Sequence, residues 1–115
     1  MDFKIPNEFN LGGSNIKVNV VDRCDNNALG TCLLAEGCIN IADTFNKDNK
    51  QNNNIKVNTF FHELTHAILD TMGEVELSGN EKFVCCFSSF LTEAINSFKS
   101  VSYTHLRAHE TTLHL

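Results

Sequence analysis

The sequence predicts an α+β domain: a small N-terminal antiparallel sheet followed by two packed helices. Strand-like runs broken by turn signals occupy the first part of the chain, and apolar residues at helical spacing take over near Asn58. That spacing resumes after a break at Gly73. At 115 residues the chain fits a single domain, expected over residues 1–100.

Residues 3–5 and 16–21 are strand-like, the second run alternating as Ile16, Val18 and Val20. They flank a turn at residues 10–15, where Gly12 and Gly13 permit positive φ. Asp25-Asn26-Asn27 marks another turn. Residues 29–34 and Cys38–Ala42 are two short runs about Glu36-Gly37, consistent with a hairpin. The tract at 46–54, NKDNKQNNN, is polar and predicts a surface loop. From Asn58, Phe61, Leu64, Ile68 and Met72 fall at three- and four-residue steps, with Asn58 or Thr59 as cap and Gly73 as the stop. A second helix is predicted from Asn80 or Glu81 to Phe98, with Phe83, Phe87, Phe90, Leu91, Ala94 and Phe98 as its apolar stripe. No internal repeat is visible.

A formal net charge of -5 argues against an electrostatic nucleic-acid binder, because no basic stripe is available to neutralise phosphates. No apolar run approaches bilayer length, so no membrane partner is expected. The start MDFKIPNEFN lacks the basic residues and apolar stretch of a secretory signal, which with Met1 as the true start predicts a cytoplasmic protein. The cysteine count of 5 is odd and contains no CxxC pair, against a disulfide framework. Cys24, Cys32 and Cys38 therefore read as small apolar residues, and Cys85 and Cys86 as helix core or near-core.

Residues 101–111, VSYTHLRAHET, resemble the translation of a transposon-type sequencing adapter. Residues 101–115 are therefore expected to be an artefactual tail, with the native sequence truncated near Ser100. Setting the tail aside removes His105, His109 and His114 as metal ligands. His62 and His66 are then the only histidines of the domain.

Those two belong to His62-Glu63-Leu64-Thr65-His66, an HExxH pattern. Residues four apart on a helix lie one above the other, so two imidazoles at this spacing can converge on one ion. Glu63 is rotated about 100° from His62, away from a ligand's position and toward the open side of the metal, where it can activate water. A catalytic zinc needs a third protein ligand. With no other histidine in the domain, that ligand is expected to be a carboxylate or a cysteine, and the carboxylate candidates are Asp70, Glu74, Glu76, Glu81 and Glu93. Glu81 is the first choice, because it opens the second helix and the short connection forces that helix back against the first. Phe83 and Phe87 are expected to bury it there.

HELTHAIL followed by Asn80-Glu81 resembles the gluzincin arrangement, in which a glutamate on the following helix completes a His/His/Glu site. The order of elements is similar to that of minimal zincin-like peptidases of phages and mobile elements. The resemblance covers about residues 29–98, and HELTH is its specific part. It implies a minimal zincin-like fold, Zn²⁺ held by His62, His66 and Glu81, and hydrolysis of a peptide or protein substrate with Glu63 as general base. It also implies that Cys38–Ala42 is a sheet edge to which a peptide adds as a further strand. No third motif histidine follows, which excludes the metzincin pattern. Tyr103 lies in the tail, so backbone groups and Asn or Lys side chains remain to stabilise an oxyanion. A second expectation is a catalytically inactive zinc-binding module of a mobile element that recruits a protein partner. A purely structural site normally has four protein ligands, and four do not present themselves.

Overall fold

In a computed structural model the described residues are 3–46 and 48–99. The expectations placed on Tyr103, His105, His109 and His114 lie outside them. The chain is α+β, with a small, mostly antiparallel sheet followed by helices. β1 (Glu8–Leu11) and β2 (Ser14–Val21) form a hairpin about Gly12 and Gly13, at φ 59° and 85°. β3 (Gly30–Leu33) and β4 (Cys38–Ala42) form the second hairpin, turned by Gly37 at φ 70°. The strand order is β1-β2-β4-β3, and β2 pairs with β4 in parallel.

This order corrects the expectation for Cys38–Ala42. β4 is bonded to β2 on one side and to β3 on the other, so its backbone has no edge to offer. The first strand also moves: residues 3–5 lie outside the sheet, and Phe3 packs on Phe61 with ring centroids 4.8 Å apart.

The polar tract at 46–54 is only partly loop. β5 (Thr44–Phe45) and β6 (Asn49–Lys50) form a two-residue ladder whose turn uses Asn46 and Asp48 at positive φ, a conformation these side chains tolerate. α1 (Asn53–Met72) begins five residues before the expected Asn58, capped by Asn52, whose side chain accepts from Ile55 N–H. Gly73 ends it in the left-handed conformation, as the sequence predicts. α2 (Val75–Ser78) is a single turn, and α3 (Glu81–Asn96) follows with Asn80 as its cap.

α1 packs against the sheet and against α3. Its Val57, Phe60 and Phe61 close the core over Ile16, Val18, Ile39 and Ile41. The predicted apolar stripes are only partly buried. Ile68 is 36% exposed and Met72 66%, because α1 outruns its cover. On α3 the buried residues are Val84, Ser88 and Thr92, whereas Phe87 and Phe90 are 46% and 70% exposed. Cys85 and Cys86 are exposed as well, not core, because the inward stripe of α3 is built of smaller side chains than the phenylalanines suggested.

Candidate metal centre

α1 carries His62 and His66 one turn apart, with ring centroids 5.0 Å apart. Gly73 and the one-turn α2 reverse the chain, and Asn80 caps α3 by accepting from Phe83 N–H at 3.1 Å. Glu81 is thereby the first residue of α3, where the positive end of the helix dipole favours a carboxylate. Its two oxygens face the two imidazoles: Oε1 lies 3.4 Å from His62 Nε2, and Oε2 lies 3.3 Å from His66 Nε2.

The other ring nitrogens face other partners. His66 Nδ1 lies 3.0 Å from Ser78 Oγ, a hydroxyl buried on α2. His62 Nδ1 lies 4.0 Å from Cys85 Sγ. One donor atom from each of His62, Glu81 and Cys85 falls within 4.8 Å of the others, so these three form a group able to hold a metal ion. Burial and the neighbouring His66 lower the pKa of His62, which keeps its ring neutral, the form that ligates metals.

Each Nε2 and the Glu81 oxygen facing it stand at a separation that two donors on one ion can have, whereas His66 is not in the group of His62, Glu81 and Cys85 whose donor atoms all lie within 4.8 Å of one another. Of the other carboxylates weighed from the sequence, Asp70, Glu74, Glu76 and Glu93 are all exposed, and none has a recorded contact with either histidine.

Glu63 follows His62 on α1 and shares a cleft with it. It is 8% exposed and lines a cleft of about 280 Å³ with His62, Asn58, Thr59, Ala28, Leu29 and Gly30. Burial, and then the charge of Glu81, push its pKa up to about 7. A carboxyl at that value takes and releases a proton near neutrality.

The far wall of the cleft is the start of β3, and its fit depends on two residues that the HELTH motif does not announce. A Cβ on Gly30 would lie 2.6 Å from Thr59 Cγ2 and 3.2 Å from Glu63 Cγ, so only glycine lets β3 close on α1 here. Gln51, expected in a surface loop, is 3% exposed. Its amide nitrogen donates to Leu29 O at 2.9 Å and to Ala42 O, and its oxygen accepts from the Thr59 hydroxyl at 2.9 Å. One side chain thus joins the residue before β3, the end of β4 and α1 behind the cleft. The available signal for Gln51 is its place immediately before a capping asparagine; for Ser78 it is the rule that a metal-bound histidine hydrogen-bonds through its other nitrogen.

Neither a scan against protein-family models nor searches of curated proteins and of solved structures finds a match for this chain. No helix among the described residues is long and apolar enough to cross a membrane.

Proposed function

We propose that this chain is a zinc-dependent peptidase in which His62, His66 and Glu81 hold the ion and Glu63 is the general base. The observation that carries the reading is the position of Glu81. Its two oxygens stand 3.4 and 3.3 Å from the two Nε2 atoms, and Glu63 opens onto a cleft at their side. A bound Zn²⁺ supplies Lewis acidity to a scissile carbonyl and lowers the pKa of water.

The remaining tasks fall to the chain. Glu63 accepts the proton of the attacking water and delivers it to the leaving amine, which its raised pKa suits. Ser78 holds the His66 ring through Nδ1, directing Nε2 toward Glu81. Asn58, one turn before His62 on the cleft wall, is the neutral side-chain donor best placed to meet a developing oxyanion. Among the described residues β3 has a strand partner on one side only, and it begins at Gly30 in the same wall. An extended peptide added to that edge passes the mouth of the cleft.

The test is Glu63→Gln in the full chain. Zinc content is expected to stay equal to wild type while peptide hydrolysis falls about 10²- to 10⁴-fold. Full activity with zinc retained would exclude Glu63 as the base, and no zinc in the purified wild type would exclude the metal reading altogether. A second reading, a zinc-binding module that recruits a protein partner without catalysis, is favoured by the exposed apolar residues Met72, Val75, Phe87 and Phe90. Stoichiometric zinc in a wild type that cleaves none of a diverse set of peptides would select it.

A further inference from the structure

We propose that Cys85 is a fourth donor of this centre, giving it a form closed by thiolate alongside the form open to water. The proposal rests on the His62/His66/Glu81 ligand set above. Cys85 lies one turn beyond Glu81 on the same face of α3, and its Sγ is 4.0 Å from His62 Nδ1. It is exposed and free, and its donor atom shares a 4.8 Å neighbourhood with those of His62 and Glu81. A nitrogen and a sulfur bound to one tetrahedral zinc stand about 3.5 Å apart; the 4.0 Å contact is to Nδ1, so to join an ion held at Nε2 the thiol turns about its one side-chain torsion toward Glu81.

Tetrahedral zinc has four positions, and His62, His66 and Glu81 take three of them. Water or the Cys85 sulfur fills the fourth. When the sulfur binds, its S–H proton passes to solvent, the S–metal bond forms and the water leaves; no oxidation state changes. The result is a four-ligand site of the kind that does not turn over, with no room for a substrate carbonyl. A soft thiolate among imidazoles suits zinc, so the closed form is a stable competitor. Covalent capping of Cys85 then holds the centre open. Cys86 is exposed too but lies about 100° further round the helix, which makes it the internal control.

Cobalt titrated into the metal-free full chain separates the outcomes. Four-coordinate cobalt is visible through its d–d bands, and a thiolate ligand adds a near-ultraviolet charge-transfer band. Wild type and Cys86→Ser are expected to show both features, and Cys85→Ser to lose the near-ultraviolet band while keeping the visible ones. Cobalt bound in wild type without that band, or a band that survives Cys85→Ser, overturns the proposal and leaves the three-ligand reading standing. No cobalt binding in wild type overturns both. As a check that needs no variant, zinc is expected to slow alkylation of Cys85 by iodoacetamide about tenfold or more, since the bound thiolate is no longer a free nucleophile. Equal slowing at Cys86, or none at Cys85, counts against it.

Discussion

Glu63 is the residue whose environment and proposed task are most closely tied. A buried carboxyl with its pKa pushed up to about 7 binds its proton more tightly in the folded chain than in the unfolded one, where the ordinary value is 4.5. In metal-free protein the sign follows. Glu63 does not destabilise the fold below about pH 4.5, and its cost grows as pH rises toward 7, reaching on the order of 3 kcal/mol above it. Glu63→Gln removes the ionisation. In thermal melts of chelator-treated protein it is therefore expected to raise Tm at pH 8 by on the order of 10 °C, and by much less at pH 5.5. Parallel profiles for the two proteins would show that Glu63 titrates normally. At this scale the HELTH residues were legible because a four-residue spacing is a statement about one helix face. Ser78 was not, since a serine two residues before a cap carries no pattern until His66 is seen to need a partner for Nδ1. Replacing Ser78 with Ala is expected to weaken zinc affinity about tenfold or more in a competition titration, with hydrolysis at saturating zinc much less affected. Unchanged affinity would remove Ser78 from the site.

Between elements, the decisive contact is that of β3 with α1. Gln51→Ala removes the bonds to Leu29 O, Ala42 O and the Thr59 hydroxyl, a loss of about 1–3 kcal/mol in denaturant unfolding. Gly30→Ala forces β3 off Thr59 and Glu63, with a cost of about 1–3 kcal/mol of its own and a widened cleft. Both variants are expected to bind zinc like wild type and to lose hydrolysis, because the changes act where α1 meets β3, whereas the ligands lie where α1 meets α3. Zinc lost in parallel with activity would contradict that separation. The elements were visible from the sequence where periodicity carries them: β2, the hairpin of β3 and β4, the stop at Gly73, the start of α3. They were not visible where tertiary pairing decides. Nothing local says that β4 runs parallel to β2 and so becomes an inner strand, because pairing order depends on residues far apart in the chain. The cap at Asn52 was hidden within an asparagine-rich tract where any residue could serve. The phenylalanines of α3 misled for a related reason. Hydrophobicity marks what can be buried, whereas the buried stripe is Val84, Ser88 and Thr92, with the expected Leu91 and also Ile95 packed against the core.

For the molecule as a whole, the proposed ion would tie the middle of α1 to the start of α3, beside the core that Phe60 and Phe61 make with the sheet. Zinc at 100 times its dissociation constant is then expected to stabilise the fold by about 2.7 kcal/mol, and chelation to lower Tm accordingly. A melting temperature indifferent to chelator in a zinc-loaded sample would mean that the ion does not bridge the helices. The positions from His62 through Ser78 and Glu81 to Cys85 all fall within one helix-turn-helix stretch, whereas Ala28, Leu29 and Gly30, which complete the cleft, come from far upstream. Closing so short a loop takes little entropy, and long-range pairing takes more. If the proposed ion binds, the helical hairpin would be free to capture it before the sheet docks, and a nascent peptidase of this design would be slow to attack its own unfolded neighbours, since the groove that would admit a peptide waits on the long-range pairing.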